Sequence, residues 1–124
     1  WHLTLNRPSF NPPGWIFGPV WTILYLIIAI AGWRIWRGGH GEKRRGTLAL
    51  YGVQLALNLA WSFLFFGLQR PDLGLVDILA LLVAITFTAV LFWRLDRLAG
   101  MLFVPYVLWV AFASLLNASI WWLN

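Results

Sequence analysis

A chain of 124 residues that is 61% hydrophobic and only 10% charged falls well short of the ~25% charge of a water-soluble domain, so water is not its main solvent. Cysteine is absent, which excludes disulfides and thiolate metal sites. The net charge of +5 does not point to nucleic acid, because the basic residues sit in short gaps between apolar runs, the pattern of membrane-flanking loops.

In chain order, residues 1–11 read as an interfacial loop around Arg7 and Pro8. No leader with a charged, an apolar and a cleavage region opens the chain, and its first residue is a tryptophan, so it reads as a fragment or a processed product. Four apolar segments follow, over about residues 14–36, 47–68, 71–94 and 98–123. Each is near the ~20 residues needed to cross a ~30 Å hydrocarbon layer. None alternates with the period of two expected of a strand, and lipid admits only helices or closed barrels. The reading is one all-α, multi-pass membrane unit over residues 1–124, embedded in a lipid bilayer, with no nucleic-acid partner.

The first segment follows Pro12 and Pro13, which suit a first helical turn, so a helix starts near Pro13 or Gly14 with Trp15 at its mouth. Pro19 either kinks it or marks a later start. Trp21 and Tyr25, at i and i+4, share a face one to three turns inside, where an indole N–H or a phenol O–H needs a partner. The second segment carries Gln54, Asn58 and Ser62 every four residues, a polar stripe. Gly52, Ala56 and Ala60 form a second stripe on nearly the opposite face, of the small residues that let helices approach in lipid. The polar stripe is either interhelical glue or the lining of a ligand cavity.

Pro71 starts the third segment with Asp72 in its first turn; beyond that turn Asp77 is the only internal charge. The fourth places Tyr106, Trp109, Ala113 and Asn117 on one face and carries Pro105, which predicts a kink or a late, irregular start. Arg34, Arg37, Lys43, Arg44 and Arg45 flank the first connection, and Arg94 and Arg97 the third, so these two connections are expected in the cytoplasm and residues 69–72 outside. Counted along the axes, Trp21 lies ~9 Å below Trp15 and Trp109 ~20 Å below Leu123. The two indoles are therefore expected at different depths, within joint reach only of a large ligand.

Trp21, Tyr25, Gln54, Asn58, Ser62, Tyr106, Trp109 and Asn117 make a candidate pocket with aromatic walls and a few amides, suited to a large, flat, mostly apolar ligand. Ordinary bundle packing is the competing reading. Neither His2 nor His40 lies in an apolar segment, and no Ser-His-Asp set or glycine-rich phosphate loop occurs, so no catalytic residue, metal site or required cofactor is assigned. A four-helix exporter of multidrug type is the alternative function; it needs a membrane-embedded carboxylate, for which Asp77 is the one candidate.

Three blocks carry a family resemblance: Asn6 to Tyr25 with its Asn-Pro-Pro-Gly-Trp and Phe-Gly-Pro-Val-Trp runs, Gln54 to Gly67, and Pro105 to Asn117 with Pro-Tyr-Val-Leu-Trp. The chain resembles the TspO/MBR family of tryptophan-rich sensory proteins and translocator proteins, over nearly its whole length. The resemblance implies a five-helix membrane bundle, of which four helices are present here and the first is missing. It also implies a homodimer, here through Gly52, Ala56 and Ala60. The implied ligands are porphyrins such as protoporphyrin IX, with roles in tetrapyrrole sensing, transport or light-dependent breakdown. It places Trp21, Asn58 and Trp109 in the pocket. The C-terminal residues lack the tyrosine and basic residue of the animal cholesterol motif, which argues against sterols.

Overall fold

The structure is a computed structural model that describes residues 14–38 and 41–123. Among these the chain forms four helices: α1 (Gly14–Arg37), α2 (Glu42–Ser62), α3 (Pro71–Leu95) and α4 (Arg97–Leu123), with a π-helical turn over Phe63–Gly67 closing α2. All four are long and apolar enough to cross a membrane. The interfacial loop expected at residues 1–11, Pro12, Pro13, His2 and His40 lie outside the described residues.

Each helix buries one stripe and shows lipid the rest. On α1 the stripe is Leu24, Ile28, Ala31 and Ile35; on α3 it is Gly74, Ile78, Leu81, Ile85, Thr88 and Phe92. These spacings of three and four keep one face inward at 3.6 residues per turn. The outward faces carry Leu26, Ile30, Val76, Val83, Phe87 and Leu108, all at least half exposed, as expected when the solvent is hydrocarbon.

The helix bounds depart from the apolar segments at informative points. α2 begins at Glu42 rather than near residue 47. A helix continues past the hydrocarbon layer, so apolarity marks the buried length and misses a polar first turn, where Glu42 suits the N-terminal dipole. The late start expected from Pro105 does not occur: α4 runs unbroken from Arg97. Pro105 faces outward, away from the helix–helix contacts. The π turn carries i to i+5 bonding, with Leu68 N donating to Phe63 O at 2.8 Å.

The closest packing joins α3 and α4, which a single extended residue, Asp96, connects. A Cβ on Gly100 would stand 2.6–2.7 Å from the Trp93 backbone, so only glycine allows α4 to turn back this tightly. α2 packs on α3, and α1 packs mainly on α4. Tyr51 ties α1 to α2, its hydroxyl donating to the Ile28 carbonyl at 2.9 Å while its ring lies against Gly32. At the end opposite Pro71, Arg34 of α1 holds Asp96 through two bonds of 2.8 and 3.3 Å.

Candidate functional site

The site is built where α1, α2 and α4 meet. A directed chain of hydrogen bonds runs through it. Tyr25 Oη donates to Asn58 Oδ1 at 2.7 Å; Asn58 Nδ2 donates to Tyr106 Oη at 2.7 Å; Tyr106 Oη donates to Gln54 Oε1 at 2.7 Å. Gln54, Asn58 and Tyr106 are fully buried, whereas Tyr25 is 38% exposed. The chain therefore runs from the protein surface into the core. It ends at Gln54 Nε2, a buried donor with no acceptor among the described residues.

Trp21 sits beside this chain at the centre of an aromatic cluster. Its ring centroid is 5.5 Å from Tyr25, 6.4 Å from Trp61, 6.5 Å from Tyr106 and 6.5 Å from Trp109. The Tyr106 and Trp109 contacts are edge-to-face, a favoured geometry for π quadrupoles. Trp61 extends the cluster by stacking on Phe65 at 5.3 Å, and Trp109 by contacting Phe112 at 5.4 Å.

Trp21, Tyr25, Gln54, Asn58, Tyr106 and Trp109 are thus brought together. Asn117 joins the edge of this group through Trp61, whereas Ser62 is placed elsewhere. Asn117 accepts from Trp61 Nε1 at 2.9 Å and donates to the Pro71 carbonyl at 2.9 Å, which pins α2, α3 and α4 at one end of the bundle. Ser62 is exposed, and the third inward residue of the α2 stripe is Trp61. A strict four-residue repeat drifts ~40° per step, so residues 54, 58 and 61 hold a face that residue 62 has left. That spacing was the available signal for Trp61.

The expected difference in depth between Trp21 and Trp109 is overturned: their rings touch. The estimate counted down from Leu123, but the 27 residues of α4 span ~40 Å against a ~30 Å layer. Leu123 therefore does not mark the outer edge of that layer, and a count from it overstates the depth of Trp109.

Two cavities lie away from this cluster. One of about 410 Å³ is lined by Leu75, Ala118, Ser119, Trp121, Trp122 and Leu123 and offers a single hydroxyl. The other, of about 350 Å³, is lined by Trp33, Arg34, Arg37, Gly38 and Asp96. The Trp21 cluster joins ring faces to buried amides, which the first of these cavities does not. Asp77 is partly buried on α3, and its Oδ2 has no hydrogen-bond partner among the described residues. No group of three or more His, Cys, Asp or Glu among the described residues could hold a metal ion.

The comparisons with known proteins agree with this architecture. The model of the TspO/MBR family matches residues 1–123. This chain belongs to the TspO/MBR family. It is 44% identical to the Tryptophan-rich protein TspO of Archaeoglobus fulgidus over 100% of this chain and 80% of that one. It is 40% identical to Protein CrtK of Rhodobacter capsulatus, over 100% and 78%. It is also 40% identical to the human Translocator protein, over 98% and 73%. Family and spans together make it an integral, multi-pass membrane protein.

Proposed function

We propose that this TspO/MBR protein binds a porphyrin such as protoporphyrin IX, or a similar flat hydrophobic molecule, and serves its sensing, transport or breakdown. The observation that carries the reading is the cluster of Trp21, Tyr25, Trp61, Tyr106 and Trp109 around the buried amides of Asn58 and Gln54. Stacked rings accept a flat apolar ligand, and amide donors orient its polar edge. Half-buried Trp21 and Trp109 present the accessible edge of the cluster, and the ligand replaces their mutual contact with contacts of its own. The names of the relatives, a sensory protein and a translocator protein among them, lean the same way.

The test is a titration of the purified protein with protoporphyrin IX, followed by tryptophan quenching and by the Soret band. Saturable binding is expected, weakened in Trp21→Phe and in Trp109→Phe by the loss of stacking, on the order of 0.5–1.5 kcal/mol each. If both variants bind as tightly as the parent chain, these tryptophans are packing only.

The same reading includes a homodimer through Gly52, Ala56 and Ala60. Gly52 and Ala56 are exposed, Ala60 is half-buried, and a Cβ added to Gly52 meets nothing within 4 Å. Among the described residues, the Gly52–Ala56 part of this small-residue face on α2 is therefore left open.

A further inference from the structure

The cavity beside Arg37 lies at the end of the bundle remote from Pro71 and takes no part in the porphyrin reading. It is about 350 Å³ and is lined by Trp33, Arg34, Arg37, Gly38 and Asp96. We propose that this cavity binds the phosphate of an anionic membrane lipid, with an acyl chain laid along the outer face of α1.

The charge at this end favours an anion. Arg34, Arg37, Lys43, Arg44, Arg45, Arg94 and Arg97 stand against Glu42 and Asp96 alone. Asp96 would repel a phosphate, but Arg34 engages both of its carboxylate oxygens. That pairing cancels the charge on one wall and leaves Arg37 as the net cation. The Arg37 guanidinium lies 4.9 Å from the Trp33 ring centroid. The indole face restrains the guanidinium without using its N–H groups, which fit phosphate in a bidentate manner. Arg37 makes no side-chain hydrogen bond or ion pair among the described residues. Arg44 is occupied differently, donating to the Trp36 carbonyl at 2.7 Å.

The surroundings identify the source of the phosphate. Trp33, Trp36 and Trp93 are 50%, 61% and 47% exposed at this end, which places the cavity in an interfacial aromatic belt, at headgroup level. Going inward along α1, Arg37, Trp33, Ile30 and Leu26 follow at spacings of four, three and four, so they share one face. Ile30 is 50% exposed and Leu26 61%. Phosphate donor, belt and apolar track thus succeed one another in the order of a phospholipid's own parts. A soluble phosphate would use only the first. Basic pockets between membrane helices recognise anionic headgroups through this chemistry, and the volume suits a headgroup-sized guest.

The test is native mass spectrometry of the full chain in detergent with equal amounts of phosphatidylglycerol and phosphatidylcholine of matched chains. The one-lipid adduct should favour phosphatidylglycerol by about fivefold, the weight of one cation held at an anionic surface. Arg37→Gln should bring the preference close to unity. Arg45→Gln removes the same charge from an exposed position outside the cavity and should keep most of the preference. Equal losses in the two variants would mean diffuse attraction and overturn the site. Arg37→Lys and Trp33→Leu, which remove the planar fork and its platform, should each lower the preference; an unchanged ratio in both overturns it as well. These two variants decide the matter if Arg37→Gln elutes as unfolded protein. Millimolar inorganic phosphate or glycerol phosphate should not displace the lipid. An inorganic phosphate adduct lost in Arg37→Gln, with no lipid preference, would assign the cavity to a soluble anion and overturn the lipid proposal.

Discussion

Asn58 donates to the Tyr106 hydroxyl at 2.7 Å with both side chains fully buried, and the same asparagine accepts from Tyr25. One amide thereby links α2 to α1 and to α4. Replacing it by leucine keeps the branching but leaves the Tyr25 hydroxyl without its acceptor and the Tyr106 hydroxyl with Gln54 alone, and the cost of a buried polar group left unmade exceeds the net gain of making it. Asn58→Leu should destabilise the protein by about 1–2 kcal/mol, near the upper end of side-chain hydrogen bonds in membrane proteins. Tyr25→Phe should cost less, because Tyr25 is partly exposed. Thermal unfolding of both variants in detergent checks the order; equal costs would mean that the two halves of the link are equivalent.

Much of this was legible in the sequence, for reasons that can be named. Charge-free runs reveal membrane helices because lipid penalises charge along their full length. The meeting of Trp21, Tyr25, Asn58 and Tyr106 was legible because the helical period puts Asn58 and Tyr106 on inward faces and pairs Trp21 with Tyr25 at the edge of another. What escaped depends on geometry between helices. Asn117 carries the right period, but that it reaches the cluster through Trp61, while its Nδ2 holds the Pro71 carbonyl at one end of the bundle, is decided by the packing of α2, α3 and α4. The π turn at Phe63–Gly67 leaves no mark on an apolar pattern, since it changes the hydrogen-bond register and not the composition.

The Arg34–Asp96 pair gives a pH dependence. The Arg34 guanidinium beside Asp96 holds its carboxyl below the usual carboxylate range. The folded value is thus lower than the unfolded one, near ~4. The stabilisation is complete above the unfolded value and disappears as the pH falls through the folded one. The side chains are 36% and 20% exposed, so screening limits the pair to about 0–1 kcal/mol. Melting temperatures of the parent and Asp96→Asn should differ slightly at neutral pH and converge in acid. A difference that grows in acid would contradict the pairing.

Two glycines should respond in opposite ways to the same substitution. A Cβ on Gly100 would meet the Trp93 backbone at 2.6–2.7 Å, and backbone cannot rotate aside as a side chain can. Gly100→Ala should therefore cost about 1–3 kcal/mol through forced displacement of α4. Gly52, also in a helix interior, has open space around its Cα. Gly52→Ala should be neutral or stabilising by up to ~1 kcal/mol in the monomer, because alanine loses less conformational freedom in a helix. Comparable losses at both sites would place an unseen contact over Gly52.

That last possibility leads to the proposed dimer. Gly52 and Ala56 are exposed on α2 and Ala60 is half-buried, a face too small-sided to fill space but well shaped for another helix. Without a hydrophobic drive between helices in lipid, association rests on close backbone approach, and a branched side chain blocks that approach. Ala56→Leu should convert dimer to monomer in detergent, as read by light scattering behind size exclusion. Because Ala56 faces away from Asn58 and Trp21, protoporphyrin binding should remain close to that of the parent chain. A dimer that survives Ala56→Leu would move the interface to another face of the bundle. A monomer that also loses porphyrin would mean instead that the partner chain helps to shape the site.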